Sequence, residues 1–108
     1  MGEISELQKK ILEFVTERDW EKYHTPKNLA MALANEVGEL LGEFRWKSDE
    51  ELKNLSEKEL MAIAHEIADS AIFLLRLADV LDIDISEAVN EKMKIIEQRK
   101  YAGPNFEK

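Results

Sequence analysis

The chain has 108 residues, no cysteine, and a formal net charge of −8 from 23 acidic and 15 basic side chains. This length suits one domain with a single core. The acidic balance argues against a nucleic-acid-binding protein, because such proteins depend on clustered cationic side chains. The lack of cysteine excludes disulfides and thiolate metal sites.

No segment of the sequence is typical of a signal peptide or a membrane span. The amino-terminal stretch MGEISELQKK is polar and lacks an apolar run. Ionisable side chains interrupt the most apolar stretch, 60–81, at His65, Glu66, Asp69, Arg76 and Asp79. These are too many for a helix that contacts lipid. The sequence therefore predicts a soluble cytoplasmic protein with neither a membrane nor a nucleic acid as partner.

The first half of the chain predicts two helices. Apolar residues recur on one helical stripe from Glu3 to Arg18. The second helix is expected from Pro26 to Trp46, because Thr25 can cap it and proline is tolerated at the first helical position. The mostly charged residues 47–55 predict a connector.

The second half predicts two more helices. The capping-box sequence Ser56-Glu57-Lys58-Glu59 starts a long third helix that extends to about Leu81. A turn over 82–86 precedes the fourth helix, from Glu87 to about Tyr101. Residues 102–108 contain Gly103-Pro104 and predict a flexible tail.

These elements predict one all-α domain, residues 1–108, folded as a four-helix bundle. The second and third helices are apolar around much of their circumference. Helices of that kind are usually buried on more than one side. We therefore expect the chain to form an oligomer.

Two pairs of acidic residues lie within these apolar helices. Glu36 and Glu39 are three residues apart in the second helix, as are Glu66 and Asp69 in the third. This spacing places both members of a pair on one helical face. Crowded carboxylates in apolar surroundings are costly without a cation, so two converging pairs predict a metal site. Oxygen ligands favour Mg²⁺, with Mn²⁺ as a substitute.

These acids have two other interpretations. A single Glu-x-x-Glu on a helix is usually solvated surface, but two pairs in the most apolar helices favour metal binding. Di-iron bundles use Glu-x-x-His motifs, and here Glu39 and Asp69 occupy the histidine positions. A shell of carboxylates alone favours magnesium over iron.

With these motifs in place, the chain resembles the all-alpha NTP pyrophosphohydrolases of the MazG-like superfamily, and in particular their single-domain branch related to dCTP pyrophosphatase. The resemblance covers about Leu7 to Tyr101. Its motifs occur in this order: ERDWEKYHTPKNL at 17–29, EVGEL at 36–40, FRW at 44–46, EIAD at 66–69 and AVNEKM at 88–93.

The resemblance implies roles for particular residues. It assigns the metal ligands to the two acid pairs, and it places Trp20 and Trp46 in a pocket for the base, since aromatic rings stack on planar bases. It also implies that the segment from Trp20 to His24 contacts substrate, with His24 as a donor, and that Asn28 and Phe73 are substrate-binding residues. Phe73 stands where part of the family has a tyrosine. From the residues alone, a core tryptophan and a capping histidine are the alternatives.

Three basic residues and Arg76 have two interpretations each. Lys92, Arg99 and Lys100, near the end of the fourth helix, can hold a polyphosphate or interact favourably with the helix C-terminus. Arg76 lies two turns beyond Asp69, where either an inter-subunit ion pair or a catalytic role is open.

The implied reaction is attack of water at the α-phosphorus of a nucleoside triphosphate, which yields a monophosphate and pyrophosphate with bound Mg²⁺. Glu39 is the expected general base, with Glu36 and Glu66 as alternatives. The resemblance favours dCTP or modified nucleotides as substrates. It also implies a homo-oligomer built from dimers, namely a tetramer. The alternative is a non-catalytic helical interaction or regulatory module, which the unpaired acids argue against.

Overall fold

The computed structural model describes residues 2–99, which contain five α-helices, one 3₁₀ turn and no strand. In chain order they are α1 (Glu3–Glu17), the 3₁₀ turn (Glu21–Tyr23), α2 (Pro26–Gly42), α3 (Asp49–Lys53), α4 (Glu57–Val80) and α5 (Ile85–Glu97). The predicted all-α class is confirmed. No helix in the described range is long and apolar enough to cross a membrane. The predicted tail, 102–108, and the predicted helix end at Tyr101 lie outside the described residues.

The predicted connector 47–55 contains an additional short helix, α3. Its cause is a second capping box: the Ser48 hydroxyl accepts from the Glu51 N–H at 3.1 Å, and the Glu51 carboxylate accepts from the Ser48 N–H at 2.8 Å. Such a box satisfies backbone donors that a helix start leaves free. The prediction of four helices was therefore one short helix too few.

Two predicted helix boundaries also differ. The second helix was expected to reach Trp46, but α2 ends at Gly42, a poor helix former, and Glu43 and Phe44 turn back by hydrogen bonds to carbonyls three residues earlier. The last helix begins two residues before the expected Glu87. Asp84 is its N-cap, since its carboxylate accepts from the Glu87 N–H at 3.0 Å.

Helices α1 and α4 end in the same backbone motif. Asp19 and Asp82 adopt left-handed conformations, with φ of 57° and 58°. After α1, the Asp19 N–H donates to Thr16 O and the Trp20 N–H donates to Val15 O, both at 3.1 Å. This Schellman arrangement satisfies terminal carbonyls and reverses the chain. It brings the 3₁₀ turn back towards α1.

Helices α2 and α4 pack antiparallel and α1 lies against α4. The direction follows from two contacts: His24, before α2, bonds to Arg76 late in α4, and Lys47, after α2, is close to Glu59 in the first turn of α4. The Gln8 amide of α1 donates to the Leu75 carbonyl at 3.0 Å. The small core consists of Val15, Leu29, Ile63 and Ala78.

Helix α5 packs weakly on the rest of the described chain. It contains no buried residue, and its Val89 and Met93 are each 54% exposed. The Cα radius of gyration is 16.7 Å, against roughly 13 Å for a compact domain of this length. One chain alone therefore leaves much of its apolar helical surface uncovered.

The left-handed residue after α4 yields a stability prediction. Glycine adopts this conformation without steric cost, whereas a β-branched residue does not. We expect Asp82→Gly to raise the free energy of unfolding by up to about 1 kcal/mol and Asp82→Val to lower it by about 1–2 kcal/mol. Urea unfolding followed by circular dichroism measures both.

A glycine substitution inside a helix is the control, because it should change the free energy of unfolding in the opposite direction. Glu91→Gly, in the exposed interior of α5, should destabilise the chain by about 1 kcal/mol, because glycine is a poor helix former. Destabilisation by Asp82→Gly would contradict the argument that position 82 favours glycine.

Candidate functional site

Three of the predicted acids form a cluster between α2 and α4. Glu36, Glu39 and Glu66 each place one carboxylate oxygen so that all three lie within 4.8 Å of one another. The cluster forms because antiparallel packing turns the acid face of α2 towards that of α4. Asp69 borders this group rather than joining it, and is close enough to hydrogen-bond Glu36.

The electrostatics of the cluster are repulsive. Burial raises the pKa of Glu36, and the charges of Glu39 and Asp69 raise it further. Burial likewise raises the pKa of Glu66, with additional contributions from the neighbouring acids, Glu43 included. Within residues 2–99, none of the four predicted ligands has a lysine or arginine ion-pair partner.

One oxygen atom of the cluster lacks a hydrogen-bond partner in the part of the chain that the structure describes. The Oε1 oxygen of Glu66 is buried and has no hydrogen-bond partner among the described residues. A buried carboxylate oxygen without a partner is costly, and native structures rarely leave one. A hydrogen bond orients the Glu39 carboxylate, since its Oε2 accepts from the Asn35 side-chain amide at 3.2 Å. The donor set of carboxylate oxygens therefore fits a hard divalent cation such as Mg²⁺ or Mn²⁺.

A largely apolar cavity of about 440 Å³ adjoins the carboxylates, and Asp69, which borders the cluster, also lines this cavity. Three aromatic side chains line it: Phe14 of α1, Phe73 of α4, and Trp20, which precedes the 3₁₀ turn. The Phe14 and Trp20 rings meet edge to face, with centroids 5.7 Å apart and an interplanar angle of 70°. Apolar and aromatic walls with few polar groups are typical of sites for small planar ligands.

The polar side of the cavity is built around Arg76. Its Nε donates to Nδ1 of His24 at 3.2 Å, and its Nη1 lies 3.6 Å from a carboxylate oxygen of Asp79. Burial and the Arg76 charge both lower the pKa of His24. Arg76 thus forms an ion pair within its own chain and contacts a cavity residue. The inter-subunit ion pair and the catalytic role both stay predictions.

Other predicted substrate contacts lie elsewhere in this chain. The Asn28 side-chain amide donates to the Tyr23 carbonyl at 3.0 Å, so it holds the 3₁₀ turn in place and does not line the cavity. Trp46 is 84% exposed, and the guanidinium carbon of Arg45 lies 5.7 Å from its ring centroid.

The basic residues at the end of the chain also stand apart. Lys92 is exposed on α5, and Arg99 follows the end of that helix. Nη1 of Arg99 is buried without a hydrogen-bond partner among the described residues. Neither residue lines the cavity. Lys100 lies outside the described residues.

Helix α1 contributes to the cavity, which was not predicted from the sequence. Lys10, Ile11 and Phe14 line it. Ile11 and Phe14 belong to the apolar stripe predicted from Glu3 to Arg18, and Lys10 flanks that stripe. A lysine beside a stripe is a weak signal, because basic residues on helix surfaces are common.

The raised pKa values of Glu36 and Glu66 predict a pH dependence of metal binding. A metal ion must displace the protons that these carboxyl groups retain, so affinity for Mn²⁺ should weaken as the pH falls through the raised pKa values. Isothermal titration calorimetry between pH 5 and pH 8, in buffers of different ionisation enthalpy, measures affinity and proton release.

Glu50→Gln is the matched control, since Glu50 is exposed on α3 and pairs only with Lys53 in the described chain. It should leave the pH profile of Mn²⁺ binding unchanged, whereas Glu66→Gln should abolish binding. Equal affinity at both ends of the pH range would contradict the assignment of these carboxylates as ligands.

Comparison with known proteins identifies the family. The model of the MazG-like family matches residues 31–106. The chain is 41% identical to dCTP pyrophosphatase 1 of Mus musculus over 98 residues, which is 89% of this chain and 58% of that protein. For dCTP pyrophosphatase 1 of Homo sapiens the identity is 40% over the same shares. The chain thus spans about three fifths of the length of these curated relatives.

A solved structure agrees in fold as well as in sequence. The crystal structure of a pyrophosphatase from Archaeoglobus fulgidus matches with a TM-score of 0.84 and 42% identity, over 95% of each chain. Together with the family match, this similarity confirms the resemblance seen in the motifs. The chain belongs to the MazG-like family.

Proposed function

We propose that this protein is a Mg²⁺-dependent nucleoside triphosphate pyrophosphohydrolase, which converts a (d)NTP to the monophosphate and pyrophosphate. The observation that carries the proposal is the unpartnered buried oxygen of Glu66 within a cluster of carboxylates. Beside it lies a cavity with aromatic walls. The names of the relatives support the reaction class, and dCTP or a modified cytosine nucleotide is the proposed substrate.

In the proposed reaction, water attacks the α-phosphorus and the bond to the bridging oxygen of the β-phosphate breaks, so that pyrophosphate leaves. Bound Mg²⁺ supplies neutralisation of phosphate charge and activation of water. Glu36, Glu66 and Asp69 are proposed as its ligands together with Glu39. Glu39 is the most exposed of the three clustered glutamates and is the proposed acceptor of the water proton.

The base is proposed to occupy the cavity beside Trp20 and Phe73, where stacking and apolar contact favour a planar ring. In this orientation the triphosphate of the bound substrate extends out of the cavity past Asp69, towards the proposed metal ligands. Lys92 and Arg99 are proposed to hold the polyphosphate. The unpartnered Nη1 of Arg99 supports a role in binding an anion.

A homo-oligomer, built from dimers and proposed to be a tetramer, accounts for the exposed apolar surface. Large apolar side chains are more than half exposed on three helices, among them Met31, Met61 and Met93. Exposed apolar surface of this extent typically marks an interface. Trp46 lies outside the cavity of its own chain, and we propose that it completes the pocket of a neighbouring subunit. A cytoplasmic location stays a prediction.

Pyrophosphate release from a panel of dNTPs with Mg²⁺ tests the activity. We expect release with dCTP, and a loss of about 10²–10⁴-fold in kcat for Glu39→Gln with an unchanged circular dichroism spectrum. Glu50→Gln should retain activity. Absence of pyrophosphate release with every nucleotide would contradict the enzyme proposal and favour the non-catalytic module.

Trp46→Ala tests the shared pocket. We expect KM for dCTP to rise about tenfold with little change in kcat, because the lost stacking of about 1–3 kcal/mol acts on binding. Leu81→Ala is the control, since Leu81, at the end of α4, is 48% exposed and does not line the cavity. Sedimentation should give a multiple of the 12.5 kDa chain mass. A monomer with unchanged KM for Trp46→Ala would exclude Trp46 from the pocket.

A further inference from the structure

Arg76 is the single buried charged residue in the described chain, with 8% of its surface exposed. A buried guanidinium is costly unless it is paired and hydrogen-bonded. Arg76 has two such partners: Asp79, one helical turn further along α4, and His24, which precedes α2. The guanidinium therefore links α4 to the segment that forms one side of the cavity.

The bond from Arg76 determines the protonation of His24. An arginine side chain stays protonated, so its Nε always carries a hydrogen. The imidazole must therefore accept at Nδ1, and an accepting Nδ1 carries no proton. The neutral ring then has its proton on Nε2. Within residues 2–99, the bond from Arg76 is the imidazole's only hydrogen bond, so Nε2–H has no protein partner there.

We propose that Arg76 is a positioning residue for base recognition: held by Asp79, it fixes His24 as a neutral Nε2–H donor in the cavity. This inference rests on the proposed function, because it takes the cavity as the site of the base. His24 then binds a hydrogen-bond acceptor on the base edge, such as a ring carbonyl oxygen or an unprotonated ring nitrogen. The edge of cytosine that contains O2 and N3 presents two adjacent acceptors.

Few other polar groups in the cavity can form hydrogen bonds with the edge of a base. Besides His24, three charged residues line the cavity: Lys10 of α1, and Asp69 and Arg76 of α4. The remaining walls are apolar or aromatic, so a base in the cavity meets few groups able to read its edge. A histidine free to exchange tautomers would present a donor or an acceptor in turn. Fixing the tautomer removes that ambiguity.

The first test observes the imidazole directly. Long-range ¹H–¹⁵N spectra of the labelled protein distinguish a protonated from an unprotonated ring nitrogen. In the wild type we expect an unprotonated Nδ1 and a protonated Nε2 for His24. Arg76→Met should give a tautomer mixture. His65, the other histidine, is exposed and serves as internal reference, with His65→Gln to assign the signals.

The second test separates positioning from a merely structural role. Arg76→Met should raise KM for dCTP about tenfold, as expected for one weakened hydrogen bond, with little effect on kcat or Mn²⁺ binding. The effects of Arg76→Met and His24→Gln should not add, because both remove the same contact. Lys53→Met, on exposed α3, is the control. Where Arg76→Met does not fold, Arg76→Lys replaces it. Lysine can still donate a hydrogen bond, so its KM should lie between those of the wild type and His24→Gln.

Two results would overturn the inference. One is a wild-type His24 whose Nδ1 carries the proton. The other is an active enzyme in which the Arg76 variant leaves both KM and the imidazole spectrum unchanged. If the wild type hydrolyses no nucleotide, the proposed function fails instead, and the imidazole spectrum still decides whether Arg76 fixes the tautomer of His24.

Discussion

Repulsion among carboxylates between α2 and α4 is the constraint on which the rest of the site depends. Glu36, Glu39 and Glu66 bring oxygens within 4.8 Å of one another without a basic partner in the described chain. Such a cluster weakens the packing of the two central helices unless a cation neutralises it. The proposed metal ion would relieve this repulsion between the helices that form the core, so its binding would be coupled to folding.

The cavity beside the cluster depends on a different constraint, the path of the chain between α1 and α2. The Schellman end of α1 returns the chain at Asp19, and Asn28 and the capping Thr25 fix where α2 begins. Between these points the segment presents Trp20 and His24 to α4. An apolar cavity next to an acidic cluster suits a ligand with a planar ring at one end and, through metal ions, a polyanion at the other.

A single chain is incomplete in its packing. Helix α5 buries no residue, and the radius of gyration of 16.7 Å exceeds what one compact domain of this length requires. Trp46 stands outside its own chain's cavity. These three observations share one explanation in the proposed oligomer, in which neighbouring subunits cover the apolar faces.

The sequence by itself determined the features that depend on local geometry. The caps at Thr25 and Ser56 located the starts of α2 and α4, and the three-residue spacing predicted that each acid pair shares a helical face. Contacts between helices were decided only by the tertiary structure. The bond of Arg76 to His24 joins residues 52 apart, and its geometry depends on how loops and helix packing bring α4 against the segment before α2. No spacing within one helix carries that information.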